Sequence, residues 1–207
     1  MFNFVKKINN KVRHTIEVNK YNNFTICKYF RKQGAQIGKD CYIVPRSLGT
    51  EPYLVKIGDH VAIAEGVKFH THDGGTWVFR GEMPDLRIFG PIIIEDNCLI
   101  GAYAQIMPNV KIGKNSIISS GSVVISDIPA NSIAIGIPAR VISSMEKYKE
   151  KCIQNWNMQK PPGMHAEIMK HYDEIENREE ILRRLRYHLE SHFKSKLIKE
   201  EAGKEKS

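Results

Sequence analysis

The sequence predicts a mainly β chain wound as a parallel β-helix, and two observations carry that prediction. Aliphatic residues recur every six positions, and a small or polar residue follows most of them. Ile94, Ile100, Ile106, Ile112, Ile118 and Val124 stand six apart without an error, with Gly101, Gly113 and Ser119 in the slots behind. The fourth place after each is also small or medium: Cys98, Ala104, Val110, Ser116, Ser122 and Ile128. A period of six fits neither a 3.6-residue helix nor a two-sided strand. It is the period of a coil in which each hexapeptide forms one flat side. One aliphatic side chain per side fills the axis, and glycine in the small slot is expected to supply the positive φ of a tight corner. A single coil cannot bury its own interior, so stability requires stacking.

The beat begins earlier, in shorter runs. Ile37 and Ile43 form one pair, and Ile57, Ile63 and Phe69 form a second set with Gly58 and Ala64 behind them. Fourteen residues separate Ile43 from Ile57, so a bulge or loop is expected near Ser47–Pro52. Twenty-five separate Phe69 from Ile94, and residues 70–93 (HTHDGGTWVFRGEMPDLRIFGPII) lose the beat altogether. They read as an excursion from the helix, the expected place for chemistry, since functional residues concentrate on loops held by a rigid scaffold.

The flanks differ in character. Residues 1–36 carry eight Lys/Arg against one acid, Glu17, whereas residues 37–144 carry nine against ten. That balance argues against a broad nucleic-acid surface over the repeat domain and leaves open a local basic patch for phosphates. Phe2, Val5, Ile8, Val12 and Ile16 make a helical stripe beside Lys6, Lys7, Lys11 and Arg13. That stripe suits either a cap on the open end of the coil, the preferred reading, or peripheral contact of residues 1–20 with an anionic membrane. Beyond Pro161-Pro162-Gly163, a charged segment with Ile168, Tyr172, Ile175, Leu182, Leu185, Leu189 and Phe193 at helical spacing reads as a packed helix. The expected organisation is a basic helical arm over 1–36, the hexad domain over 37–142 with its excursion at 70–93, and a helical extension over 143–207. No apolar run is long enough to cross a bilayer, and the N-terminal stretch lacks the form of a signal peptide. A cytoplasmic location is expected, with the inner face of the membrane as the peripheral alternative. Cys27, Cys41, Cys98 and Cys152 are scattered, with no CxxC pair, and read as reduced structural thiols.

The segment IGAYAQIMPNVKIGKNSIISSGSVVISDIPANSIAIGIPARVI, Ile100 to Ile142, resembles the C-terminal coils of the hexapeptide-repeat acetyltransferases. The likeness is closest in IGxxxxIxPxVxIGxxSxI, SDIPAN and GIPARVI, and covers about residues 37–142. The stretches SLGTEPYLVKIGDH and THDGGTWVFR resemble a subgroup found with polysaccharide biosynthesis. The resemblance implies a left-handed parallel β-helix, against the usual right-handed crossover, and a homotrimer with acetyl-CoA between subunits. It places Ala102 at the thioester end, Ser120 beside the pantetheine arm, Ile125 and Ser126 near the outer part of the cofactor, and Arg140 at the nucleotide phosphates. Ser126 stands where the family often has lysine, which shifts phosphate binding toward Arg140 and toward Lys111 or Lys114.

The family's catalytic histidine lies in the loop that leaves the helix, where His70 and His72 are the candidates. His72 precedes Asp73 as the family histidine precedes Pro or Asp, and is preferred; His70 is read as a structural neighbour. Imidazole suits the step, because its ordinary pKa near neutrality lets it take a hydroxyl proton at working pH. Asp73, Trp77 and Arg80 are candidate acceptor contacts: the aromatic face suits a sugar ring, and the guanidinium suits a phosphate or carboxylate. Trp77 and Phe79 equally suit an anchor onto the next subunit. A zinc site on HTHD is disfavoured, because no further histidine follows Asp73. His14, His165, His171, His188 and His192 sit in polar helical contexts and read as solvated. The expected activity is acetyl-CoA-dependent O-acetylation of a saccharide, free, nucleotide-linked or lipid-linked, in capsule or O-antigen assembly. N-acetylation of an amino sugar, O-acetylation of a small xenobiotic and a non-enzymatic β-helix scaffold are the alternatives.

Overall fold

The computed structural model describes residues 15–159, 179, 182, 183 and 186–191. The chain divides into two compact units, Met1–Tyr148 and Lys149–Ser207. In the first, consecutive short strands fall in turn on three sheets, so the coil is a three-sided prism. One face holds β1 (Gln36–Ile37), β3 (Val55–Ile57), β6 (Ile92–Ile94) and β9 (Val110–Ile112). A second holds β2 (Tyr42–Ile43), β4 (Ala62–Ile63), β7 (Leu99–Ile100) and β10 (Ile117–Ile118), and the third holds β5 (Lys68–Phe69), β8 (Gln105–Ile106) and β11 (Val123–Val124). Strands pair in parallel with hexad residues in register: Ile37 on Ile57, Ile57 on Ile94 and Ile94 on Ile112, with Phe69 on Ile106 and Ile106 on Val124.

The six-residue beat is the axis of this prism. Ile43, Ile63, Ile100, Ile106, Ile112, Ile118 and Val124 are fully buried, and Cys98, Ala104, Val110, Ser116 and Ser122 are buried two places before the next beat. Buried serines need partners. Ser116 Oγ donates to Pro129 O at 3.1 Å, and Ser122 Oγ accepts from Gly136 N at 3.2 Å.

The corners correct the expected role of glycine. Positive φ falls three residues after the beat, at Asp40, His60, Asn97, Asn115 and Asn131 on the corner between the first and second faces. Asn and Asp enter this region more readily than other non-glycine residues. There they form a ladder: His60 Nδ1 meets Asn97 Oδ1 at 2.7 Å, Asn97 Nδ2 donates to Asn115 Oδ1 at 2.9 Å, and Asn115 Nδ2 donates to Asn131 Oδ1 at 3.0 Å. Gly101 and Gly113 do not have positive φ. A Cβ on Gly101 would lie 2.5 Å from Ser120 N, and one on Gly113 would lie 2.4 Å from Ala130 N. They are glycine because the next coil's backbone occupies the space a side chain needs.

The two ends of the prism are closed differently. Helix α1 (Ile26–Lys32) buries Ile26, Cys27, Tyr29 and Phe30. Arg31 Nε donates to Ile37 O at 2.9 Å and its Nη2 donates to Gly38 O, and Ile43 N donates to Asn23 O at 2.8 Å. The cap on the first coil is thus supplied by residues around 18–32. The stripe from Phe2 to Val12 lies outside the described residues; Ile16, its last member, is 58% exposed. At the far end, β12 (Ser132–Gly136) pairs with β10 in parallel and with β13 (Ala139–Ser144) antiparallel, so a hairpin replaces the next coil. Helix α2 (Met145–Gln159) follows. Most of the expected helix after Pro161 lies outside the described residues; of its stripe, Leu182 is exposed and Leu189 half-buried. No helix among the described residues is long and apolar enough to cross a membrane.

Candidate active site

Both interruptions of the beat leave the prism at the same corner, one coil apart. The first coil presents Leu48, fully buried, to the third face and then detours through residues 49–54, with a 3-10 turn at Pro52–Leu54. The second coil leaves after β5 and returns at Ile92, two residues before the beat resumes at Ile94. Stacking places the first detour against the root of the second, and Glu51 against Thr71 and His72.

The excursion is pinned at its neck. Asp73 N donates to Ile88 O and Gly90 N donates to Thr71 O, each at 2.9 Å, with His72 bridged antiparallel to Phe89. Asp73 caps the 3-10 helix Gly74–Phe79 by accepting from Gly75 N at 2.7 Å. That bond occupies Asp73 Oδ1, so the carboxylate expected as an acceptor contact has a local structural duty.

Glu51 is the residue that pattern reading missed. Its side chain is 15% exposed, and Oε2 accepts from Thr71 Oγ1 at 2.5 Å and from Thr50 Oγ1 at 2.8 Å. Nδ1 of His72 lies 3.0 Å from the same oxygen and 3.2 Å from Thr50 Oγ1. Desolvation pushes this carboxyl up, but the hydrogen bonds from Thr71, His72 and Thr50, with the charge of His72, outweigh it and hold the pKa at about 2. Glu51 is therefore ionised at neutral pH and accepts only. Nδ1 of His72 must carry the proton, which leaves the lone pair on Nε2. Because the folded-state value is lowered, Glu51 stabilises the fold at pH above its ordinary value of 4.5, and that contribution is lost as pH falls through about 2. The signal in the sequence was the matched phase of the two breaks, with an acid inside the shorter one.

His72 opens into a cavity of about 380 Å³, lined by Glu51, Asp73, Trp77, Arg80, Arg87 and Phe89 among others. The Phe89 ring stands edge-on to the imidazole, 6.2 Å between centroids. Arg80 Cζ sits 4.4 Å over the centre of the Trp77 ring, so that face of the indole is covered by a guanidinium. His70 is elsewhere. Its Nε2 meets Gln105 Oε1 on the neighbouring strand β8 at 3.2 Å, a rung between coils.

The expected cofactor contacts do not gather around His72 within one chain. Ala102 and Ser120 stack at the corner between the second and third faces, where Gly121 N donates to Ala102 O at 2.8 Å. Ile125 and Ser126, both exposed, lie on the corner that carries His72, two strands further along, about 10 Å away. Arg140 is exposed on β13, its Nη1 donating to Ala139 O at 3.1 Å. Lys111 is ion-paired with Glu95 at 2.7 Å, and Lys114 N donates to the same carboxylate at 2.9 Å. Among the described residues no group of three or more His, Cys, Asp or Glu is arranged to hold a metal ion.

Comparison with known proteins gives these features a context. The family model for the bacterial transferase hexapeptide (six repeats) matches residues 91–126. Protein CapG of Staphylococcus aureus is 47% identical over 128 residues, which cover 60% of this chain and 74% of that protein. Galactoside O-acetyltransferase of Escherichia coli K12 is 38% identical over 106 residues, 51% of this chain and 52% of that protein. Among solved structures, the hexapeptide-repeat-containing acetyltransferase VCA0836 from Vibrio cholerae superposes with a TM-score of 0.52 at 25% identity, covering 66% of this chain and 89% of that one.

Proposed function

The chain belongs to the bacterial hexapeptide-repeat transferases, whose left-handed parallel β-helix it carries, and from that premise we propose that it moves an acetyl group from acetyl-CoA to a hydroxyl of a saccharide used in capsule or O-antigen assembly. One observation carries the assignment of chemistry: a histidine held by an ionised glutamate at the mouth of a cavity lined with aromatic and cationic groups. Nε2 of His72 takes the acceptor hydroxyl proton. The oxygen bonds to the acetyl carbonyl carbon, backbone N–H groups near Ala102 stabilise the oxyanion, and the C–S bond then breaks. The imidazolium returns the proton to the thiolate of coenzyme A. Glu51 acts through His72: it keeps Nδ1 protonated and offsets the charge that forms on the ring.

The separation of Ala102 and Ser120 from His72 on two edges of one prism supports a site completed between subunits, and so a homotrimer with three equivalent sites. The exposed apolar side chains of the excursion, Trp77, Val78, Phe79 and Met83, are available for that contact.

Incubation of purified protein with acetyl-CoA and a panel of hydroxyl and amino saccharides tests the proposal. Thiol release with hydroxyl acceptors, from a species of trimer mass by light scattering, is the expected result. Transfer confined to amines, or full activity from a monomer, overturns it.

Glu51→Gln should lower kcat on the order of 10²-fold with little change in the KM for acetyl-CoA. The amide keeps the shape of the carboxylate but loses its charge, and it presents a donor as readily as an acceptor to Nδ1. An unchanged kcat would remove Glu51 from the mechanism.

A further inference from the structure

We infer that the acceptor bears an oxyanion, a carboxylate or a phosphate attached to the sugar, and that Arg80 and Arg87 hold it beside His72. This rests on the acetyl-transfer reading for the identity of the cavity, but its physical basis is separate. Both guanidiniums line the cavity that His72 opens into. Each is held in place without being neutralised. Arg80 lies flat over Trp77, and Arg87 Nη1 donates to Leu86 O at 2.7 Å and Pro84 O at 3.2 Å, which leaves its Nε and Nη2 for a ligand.

The carboxylates that share the cavity are otherwise occupied. Glu51 accepts from Thr71, Thr50 and His72, and Asp73 accepts from Gly75 N. Neither arginine makes an ion pair among the described residues, and this includes the loop's remaining acids, Glu82 and Asp85. Two pre-positioned forks that no carboxylate pairs with match the geometry of a carboxylate or phosphate. A neutral sugar would leave both unmatched. The stacked Arg80 also covers one face of Trp77, and Phe89 is the aromatic side chain beside the imidazole.

The test separates binding from transfer. In the full-length protein carrying Trp156→Phe, Trp77 is the sole remaining tryptophan, and its fluorescence reports a ligand that engages Arg80. Glucose, glucuronate and glucose 1-phosphate are titrated in turn, and the same three are offered with acetyl-CoA. Glucuronate or glucose 1-phosphate should bind at least ~10-fold more tightly than glucose, the scale of one charge-assisted hydrogen bond. The better of the two identifies the ring carboxylate or the phosphate as the group recognised. Arg80→Gln and Arg87→Gln should each cut this preference severalfold, and Arg→Lys should restore part of it. Equal binding of glucose overturns the inference, as does a preference that survives both substitutions. Loss of the oligomer with the preference unchanged also overturns it, by making the arginines interface groups. Preferential binding with no thiol release from any acceptor would leave the anion site standing and sink the acetyl-transfer reading instead.

Discussion

Replacing His72 with Ala should reduce acetyl-CoA-dependent thiol release by about 10²–10⁴-fold, the usual worth of a positioned general base. The fold should survive, because the His72 side chain is 47% exposed and its loop is pinned by backbone bonds on both sides of it. Melting temperature and oligomer mass should match the parent protein. His70→Ala is the paired control. It removes one exposed rung to Gln105 and should cost no more than about 1 kcal/mol of stability, with activity within a fewfold of normal. Steady-state kinetics on the two variants decides between them: loss of activity in His70→Ala with retention in His72→Ala would overturn the choice of base. The fork between the two histidines is physical. Both stand at the root of the same excursion, but only His72 meets a carboxylate that sets its tautomer.

The second large effect lies in the scaffold. Gly101→Val should destabilise the protein by about 3 kcal/mol or more, a fall in melting temperature of roughly 6–12 °C for a chain of this size. The added Cβ would lie 2.5 Å from Ser120 N, 2.8 Å from Ile118 O and 2.8 Å from Ser119 C. All three are backbone atoms of the next coil. No side-chain rotation relieves the clash, and the pairing of β7 with β10 must open at that corner. Gly81→Ala is the contrast: a Cβ there meets nothing within 4 Å, so its melting temperature should not move. Equal melting temperatures for the two variants would refute the account of why glycine occupies the hexad slot.

The glycines of the hexad slots mark a limit on what could be read from pattern. Gly101 and Gly113 were legible as small slots but not for the right reason. Period six says that a residue lies near a corner; it does not say whether the backbone bends there or the neighbouring coil presses on it. The bends were carried instead by positions three residues after the beat, Asn97, Asn115 and Asn131 among them, which keep the period of six from 97 to 121 but share no one residue type that would mark them. A cap among the described residues went unread for a related reason. The stripe ending at Ile16 has a regular apolar spacing, whereas the segment that closes the first coil, Val18 to Phe30, is a short helix with an irregular approach whose burial depends on the coil beneath it.

The sequence by itself determined the β-helix, its inward residues and the excursion that carries His70 and His72. These depend on periodic burial and on side-chain chemistry, both written along the chain. Only the tertiary structure decided that Glu51 meets His72 across 21 positions, that Arg80 covers Trp77, and that Ala102 and Ser120 stand on a different edge from the histidine. In a stacked coil, contacts form between residues one turn apart. Detours of unequal length remove any fixed sequence spacing between such partners, so the stacking itself has to be seen before they can be paired.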